Sequence, residues 1–123
     1  MGWSWALVFT GGGCGAAARF LLSRWIGMRT GAVFPLGTMV INVSGSFLMG
    51  LWMGLGQALG GHGLLLLDVG FTGAYTTFST FSFETGRLLE QRLLAEAVAY
   101  QVGSVSLGLL AVMLGHWTGG AIA

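Results

Sequence analysis

The stretch Gly73-Ala-Tyr-Thr-Thr-Phe-Ser-Thr-Phe-Ser-Phe-Glu-Thr85 lies where a membrane-spanning helix is expected, yet its composition is not that of a lipid-facing helix. Five of seven consecutive positions carry hydroxyl side chains: Thr76, Thr77, Ser79, Thr80 and Ser82. Hydroxyl-rich, non-helical backbone is tolerated at membrane depth only where protein buries it or where it borders a watery cavity. The stretch therefore predicts a path for a small polar solute or an ion, with Phe78 and Phe81 among the hydroxyls.

The rest of the chain has the composition of an integral membrane protein. Of its 123 residues, 54% are hydrophobic and only 7% are charged, and the mean hydropathy is +0.81. Soluble domains carry about 25% charged residues. A spanning helix takes about 20 apolar residues, so the length predicts an all-α membrane protein with four transmembrane helices. These spans are predicted at about residues 3–22, 34–59, 64–92 and 97–117, within a single membrane domain of residues 1–123.

Glycine makes up 23 of the 123 residues, which points to closely packed helices. Apolar helices gain no hydrophobic stabilisation from meeting each other in lipid, and small residues allow their backbones to approach instead. Gly11 and Gly15 have the GxxxG spacing, as do Gly50 and Gly54. We therefore expect helix contacts on the first and second spans at these positions.

The basic residues bear on orientation more than on partners. The net charge is +1 and all five basic residues are Arg, scattered along the chain, so no nucleic-acid partner is expected. Four of them lie in or near the two connections on the face opposite the termini: Arg24, Arg29, Arg87 and Arg92. The middle connection has no Lys or Arg. By the positive-inside rule, this bias predicts cytoplasmic Arg loops and external termini.

Two other spans carry polar faces. Residues at every fourth position share one face of a helix. On the second span this face holds Thr38, Asn42, Ser46, Gly50 and Gly54, and on the fourth it holds Tyr100, Ser104 and Gly108, with Ser106 nearby. Each stripe alone is explained by helix packing, with Asn42 bonding a neighbouring helix. Together with the hydroxyl-rich third span they favour a solute path completed by a second subunit, in which Asn42 donates amide hydrogens.

Two charged residues border this predicted path. Arg19 lies near the end of the first span. Its side chain either snorkels to the membrane interface or provides a fixed positive charge that attracts anions to a vestibule. Glu84 follows the Phe pair and is either a helix-end charge or a gating group. Neither residue comes with a nucleophile or an acid–base constellation, so no enzyme is expected.

The spacing of Phe78 and Phe81 bears on the charge of the solute. Three residues apart on a helix, they share a face, and such a pair is usually plain core. An aromatic ring has a negative face and a positive edge, so ring edges can face an anion. Burying a bare small ion costs roughly tens of kcal/mol. Hydroxyls, an Asn amide and ring edges are donors of the moderate strength that a conducting path requires.

These residues resemble the signature of a known family, the CrcB/Fluc fluoride channels. The resemblance lies in Gly70-Phe-Thr-Gly-Ala-Tyr-Thr-Thr-Phe-Ser-Thr-Phe-Ser-Phe-Glu84, in Gly12-Gly-Cys-Gly-Ala-Ala-Ala-Arg-Phe20 and in Gly37-Thr-Met-Val-Ile-Asn-Val-Ser-Gly-Ser-Phe47. It covers essentially the whole chain in order. The run from Thr76 to Phe81 is its most specific part, whereas the glycine motifs alone carry little information.

The resemblance implies an architecture and a set of site residues. It implies a third helix broken at mid-membrane, near residues 73–78, and an antiparallel, dual-topology homodimer with two pores. Five residues match its pore positions and the polar track of the fourth span: Asn42, Phe78, Phe81, Tyr100 and Ser104. It further implies that the carbonyls of Gly73 and Thr76, from both subunits, hold a structural sodium ion on the two-fold axis.

The resemblance also implies a function, a passive and selective fluoride channel in a bacterial plasma (inner) membrane. Neutral HF crosses membranes and dissociates in the less acidic cytoplasm, and a channel lets the trapped anion leave down its electrochemical gradient. The one-sided Arg distribution departs from dual topology, which leaves open a partner that is an oppositely oriented relative. Gly108 stands where a further hydroxyl would extend the fourth-span track.

Two other classes of protein fit the same length. A small dual-topology multidrug or guanidinium exporter has a similar size and number of spans. It requires a carboxylate in the first span, where this chain carries Arg19 and no Asp or Glu. A non-transporting assembly subunit would leave the polar stripes unexplained.

Overall fold

The computed structural model describes residues 2–31 and 34–123, and within these ranges the chain is helical without strands. The elements are, in order, α1 (Gly2–Thr30), α2 (Leu36–Gly54), α3 (Gly56–Leu64), a π-helical segment (Leu65–Thr72), α4 (Gly73–Tyr75), α5 (Phe78–Glu90) and α6 (Leu94–Ile122). The region predicted as the third span begins at the last residue of α3 and is divided into three pieces: the π-helical segment, α4 and α5.

Three helices of the described residues are long and apolar enough to cross a membrane, namely α1, α2 and α6. Helices α1 and α6 have 29 residues each, or about 43 Å at a rise of 1.5 Å per residue. This length exceeds the hydrocarbon core of a bilayer, about 30 Å. The prediction of an all-α membrane protein is therefore confirmed.

Helices α2 and α6 meet through glycines. A Cβ added to Gly50 would strike the Val112 carbonyl oxygen, and one added to Gly115 would strike the Phe47 carbonyl oxygen. One turn further on, Gly54 and Gly119 face each other in the same way. Since these contacts advance together along both helices, α2 and α6 run parallel. Their backbones touch, as small residues permit in lipid.

A second glycine contact joins α1 to the π-helical segment. Added Cβ atoms at Gly11 and Gly15 would strike the carbonyl oxygens of Leu66 and Phe71, respectively. On the other side of the same contact, Gly70 of the π-helical segment lies against the backbone of Gly11. These two elements are also parallel, so the fold consists of two parallel pairs. The third-span segments lie beside α1, and α6 lies beside α2.

The π-helical segment is tied to α2 by a buried threonine. Thr72 is fully buried, and its hydroxyl donates to the Leu67 carbonyl oxygen at 2.9 Å, five residues back. The same hydroxyl accepts the indole N–H of Trp52 at 2.9 Å. Irregular helical turns of this kind occur mostly at functional sites. Here the segment leads directly into the interruption between α4 and α5.

Helical conformation is lost for two residues between α4 and α5. Thr76 has φ −79° and ψ 157°, and Thr77 has φ −147° and ψ 117°, so both are extended. Thr77 caps the new helix, because its hydroxyl accepts the Thr80 amide hydrogen at 3.2 Å, as N-cap threonines do. The interruption places backbone polar groups beside α2 and leaves Phe78 as the first residue of α5.

Candidate functional site

A cavity of about 330 Å³ opens beside this interruption; we call it the Phe cavity. Its lining comes from α2 (Asn42, Ser46, Met49), from the interruption and α5 (Thr76, Thr77, Phe78, Phe81) and from α6 (Ser104, Val105). The structure thus brings four of the five predicted pathway residues to one cavity. The fifth, Tyr100, lies behind it, with its ring centroid 5.0 Å from that of Phe81.

Asn42 binds the extended backbone at the interruption through two hydrogen bonds. Its side-chain amide donates to the Thr77 carbonyl oxygen at 2.9 Å, and its amide oxygen accepts the Thr77 N–H at 2.9 Å. The side chain therefore replaces the peptide partner that the helix break removes. An Asn amide has two N–H donors, so one remains beyond this pair. Of the two interpretations from the sequence, this pair corresponds to the bond to a neighbouring helix, while the donation of amide hydrogens to a solute stays a prediction.

Phe78 and Phe81 have different environments, although they share a helix face. Phe81 is 9% exposed and packs against Tyr100, whereas Phe78 is 78% exposed. The two ring centroids lie 6.2 Å apart, with 48° between the ring planes. Core packing within the subunit accounts for Phe81 and does not account for Phe78. An exposed ring beside polar groups is instead suited to contact a solute or a second subunit.

Two buried hydroxyls on α6 lack a partner within the described part of the chain, those of Tyr100 and Ser104. Tyr100 is fully buried and Ser104 is 9% exposed. A buried polar group without a hydrogen bond costs about 1–3 kcal/mol, so such groups require an explanation. Ser104 borders the Phe cavity, where a solute could accept its hydrogen bond. Ser106 is exposed and belongs to a different face of α6.

Gly108, where a further hydroxyl was expected, lies next to Ser46. A Cβ on Gly108 would come within 3.4 Å of the Ser46 hydroxyl oxygen. That hydroxyl donates to the Asn42 carbonyl oxygen at 2.8 Å. At this level the polar group therefore comes from α2 instead of α6.

Arg19 and Glu84 border two further cavities. The Arg19 cavity, about 360 Å³, has Arg19, Phe20, Ser23, Arg24, Thr38, Ile41, Thr77 and Thr80 around it. The Glu84 cavity, about 320 Å³, is formed by the ends of α1 and α5 and the start of α2. Thr77 borders both the Arg19 cavity and the Phe cavity, so these two adjoin.

Glu84 is held by a residue that the sequence reasoning did not pair with it. The hydroxyl of Thr38, which is 4% exposed, donates to the Glu84 carboxylate. Thr38 borders both the Arg19 cavity and the Glu84 cavity. Its place on the polar stripe of α2 was a signal in the sequence. The carboxylate partner, 46 residues away, was not predictable from spacing.

The carbonyls of Gly73 and Thr76 are among the four, from residues 73 to 76, that the interruption releases. In a continuous helix they would accept the amide hydrogens four residues later, from Thr77 and Thr80. Those hydrogens go instead to the Asn42 side chain and to the Thr77 hydroxyl, at 2.9 and 3.2 Å. Backbone oxygens suit hard cations. Across residues 2–31 and 34–123, no group of three or more His, Cys, Asp or Glu could hold a metal ion.

Helices of membrane-spanning length and apolarity, with one uncharged, donor-lined cavity at a helix break, define an all-α membrane protein of the ion-handling class. A family model described as CrcB-like protein, Camphor Resistance (CrcB), matches residues 6–116. The chain belongs to this family.

Curated relatives match the chain over nearly its full length. The protein named Fluoride-specific ion channel FluC 2 from Moorella thermoacetica is 46% identical, covering 97% of this chain and 98% of its own. FluC 2 from Mycobacterium tuberculosis is 46% identical over 92% and 88%, and FluC from Thermus thermophilus is 43% identical over 94% and 93%. Since the family consists of ion channels, the expectation that the chain is not an enzyme is confirmed.

Proposed function

We propose that this chain is the subunit of a passive, selective fluoride channel that lets cytoplasmic fluoride leave down its electrochemical gradient. The observation that carries the proposal is the Phe cavity. Its lining combines the exposed ring of Phe78, the buried Ser104 hydroxyl and the Asn42 side chain, whose amide has a second N–H beyond its bond to Thr77. The relatives named fluoride-specific channels agree with this chemistry.

The donors in the Phe cavity are suited to passage more than to tight binding. The described residues around it include no charged side chain. A conducting site has to replace the hydration shell of the ion without holding the ion too strongly. Hydroxyl, amide and ring-edge donors meet this requirement, because each is weaker than a full positive charge. We infer that Tyr100 and Ser104 continue this path along α6.

Arg19 and Glu84 are suited to control access to the path. The Arg19 cavity adjoins the Phe cavity at Thr77, and a positive charge there raises the local concentration of anions. Glu84 is held at the next cavity by Thr38. We propose Arg19 as the vestibule charge and Glu84 as a gating group.

A test of the channel proposal is fluoride efflux from liposomes. Purified protein should release trapped fluoride, measured with an ion-selective electrode, and should release no chloride under the same gradient. Protein-free liposomes give the background. Fluoride efflux at that background, with the protein folded and reconstituted, would contradict the proposal, and equal efflux of both anions would contradict its selectivity.

We propose that the π-helical segment, α4 and α5 together form a further span, the third along the chain, and that two subunits assemble as an antiparallel homodimer with two pores. The first part follows from the fold, since the π-helical segment runs beside α1 in the same direction and leads through α4 towards α5. The second follows from the surface of α5, where hydroxyls and aromatic rings are exposed side by side: Phe78, Ser79, Thr80, Ser82 and Phe83. Lipid offers no hydrogen bonds to such hydroxyls, whereas a second subunit offers polar groups that bind them.

The orientation of the subunit is testable, because the structure gathers the Arg residues at one end. The Glu84 cavity is lined both by the end of α1 and by Arg87 of α5. The same half of α1 carries Arg19, Arg24 and Arg29. For a homodimer of dual topology, Thr30→Cys and Ala123→Cys, each without the natural Cys14, should each be about half accessible to an impermeant thiol reagent in intact bacterial cells. Complete labelling of one and none of the other would show a fixed orientation in the plasma membrane and require an oppositely oriented relative as partner.

We propose that the released carbonyls of Gly73 and Thr76 hold a sodium ion shared between the two subunits. The ion would compensate the carbonyl dipoles that the helix break leaves without N–H partners. The protein should therefore unfold at a higher temperature in sodium chloride than in choline chloride of equal ionic strength, because a ligand of the folded state raises its stability. Equal unfolding temperatures after complete removal of sodium would argue against the site.

A further inference from the structure

The C-terminal end of α1 carries a groove that lies apart from the Phe cavity. It is an open depression of about 560 Å³ on one face of this helix, which we call the Trp25 groove, and six residues line it: Ala18, Leu21, Leu22, Arg24, Trp25 and Met28. Several of these apolar side chains are exposed, including Leu21 at 62%, Trp25 at 52% and Met28 at 70%. Ser23 and Gly27, which face the Arg19 and Glu84 cavities, do not line the groove, whereas Arg24 borders both the groove and the Arg19 cavity.

Polar groups enter the groove only in its part nearer the helix end. Ala18, Leu21 and Leu22 form the part nearer the centre of α1, and Arg24, Trp25 and Met28 form the part nearer its end. Since the first span is predicted to end near residue 22 and α1 continues to Thr30, its last two turns reach the headgroup region. Trp is the residue enriched at that depth. An acyl chain therefore matches the inner part and a headgroup matches the outer part.

The charges at the outer end are complementary to a phosphate. Arg29 follows Trp25 by four residues, and its guanidinium lies 5.0 Å from the centre of the indole ring. This cation–π contact holds the guanidinium beside the groove, which Arg24 also borders. Helix α1 contains no Asp or Glu to neutralise either charge. Guanidinium groups bind phosphate oxygens through paired N–H donors.

We propose that the Trp25 groove binds an anionic phospholipid of the surrounding bilayer. The phosphate accepts hydrogen bonds from Arg24 and Arg29, and an acyl chain lies along Leu21, Leu22 and Ala18. Basic segments at this depth attract anionic lipids. None of the groove residues borders the Phe cavity, and Arg24 alone also borders the Arg19 cavity.

Native mass spectrometry of the full chain, with phosphatidylglycerol or phosphatidylcholine added in detergent, tests the proposal. The wild type should retain phosphatidylglycerol in preference to phosphatidylcholine. In the R24Q/R29Q variant, the preference for phosphatidylglycerol over phosphatidylcholine should be about tenfold smaller. The matched control is R87Q/R92Q, which removes two Arg from the same end of the molecule outside the groove, and it should keep the preference. Equal losses in both double variants, or no preference in the wild type, would overturn the specific site.

Tryptophan fluorescence distinguishes lipid from protein as the occupant of the Trp25 groove. This measurement uses no variant with an altered charge. In liposomes, brominated phosphatidylglycerol should quench the tryptophan emission more than brominated phosphatidylcholine does. Trp25→Phe should abolish that difference while the four other Trp residues still report quenching. If Trp25→Phe leaves the difference unchanged, the groove is not the lipid site and a second copy of the chain covers this face.

Discussion

Replacing Phe78 or Phe81 with Ile should reduce fluoride efflux from liposomes by about tenfold or more while the dimer stays intact. Ile keeps an apolar side chain of similar bulk and removes the positive ring edge that an anion can face. A loss of about 1.4 kcal/mol of stabilisation for the ion along its path corresponds to a tenfold lower rate. Both rings border the Phe cavity, so we expect both substitutions to act on the flux.

The matched control for the ring substitutions is Phe9→Ile. Phe9 lies on α1, is 77% exposed and borders none of the cavities described above. Its efflux should equal that of the wild type. Size-exclusion chromatography separates the two readings of Phe81, since loss of packing against Tyr100 would also disturb assembly. Wild-type flux in both Phe78→Ile and Phe81→Ile would show that the pair serves only packing.

Replacing Asn42 with Leu should destabilise the protein by about 2 kcal/mol or more and abolish efflux. Leu has nearly the shape of Asn and cannot bind the Thr77 N–H and carbonyl groups, which Asn42 pairs at 2.9 Å each. An unpaired buried backbone group costs about 1–3 kcal/mol, and in a membrane water does not replace the lost partner. Thermal unfolding in detergent measures the first effect and the liposome assay measures the second.

Asn42→Asp separates support of the helix break from contact with the ion. The carboxylate still accepts the Thr77 N–H and has no hydrogen to donate to the Thr77 carbonyl or to an anion. We expect a smaller loss of stability than with Leu and an equally complete loss of flux. An Asn42→Leu protein as stable and conductive as the wild type would disprove the role of this pairing.

Much of the fold is predictable because it depends on local composition. Long apolar runs specify the helices that became α1, α2 and α6, and the GxxxG spacings at Gly11 and Gly50 mark the two parallel helix contacts. The subdivision of the third span was not predicted to this detail. The π-helical turns around Thr72 depend on a bond from Trp52 of another helix, which no local pattern contains.

The candidate site was predictable as a set of residue types and only partly as a geometry. The stripe through Asn42 and the Phe pair correctly indicated which residues meet at one cavity. It did not indicate that Asn42 binds Thr77, 35 residues away, or that Phe81 is buried while Phe78 is exposed. Periodicity identifies the face of a helix on which a residue lies, but not the atoms that it meets on the next helix.

By itself the sequence determined that this is a helical membrane protein with polar stripes, since apolar content and four-residue spacing are properties of the chain alone. Tertiary structure decided which backbone groups those stripes serve. The interruption at Thr76 and Thr77 is stable because α2 supplies a side-chain amide at the position of the lost helical partner. Such pairing depends on the register of two helices packed in space, and the same register sets the bond from Thr38 to Glu84.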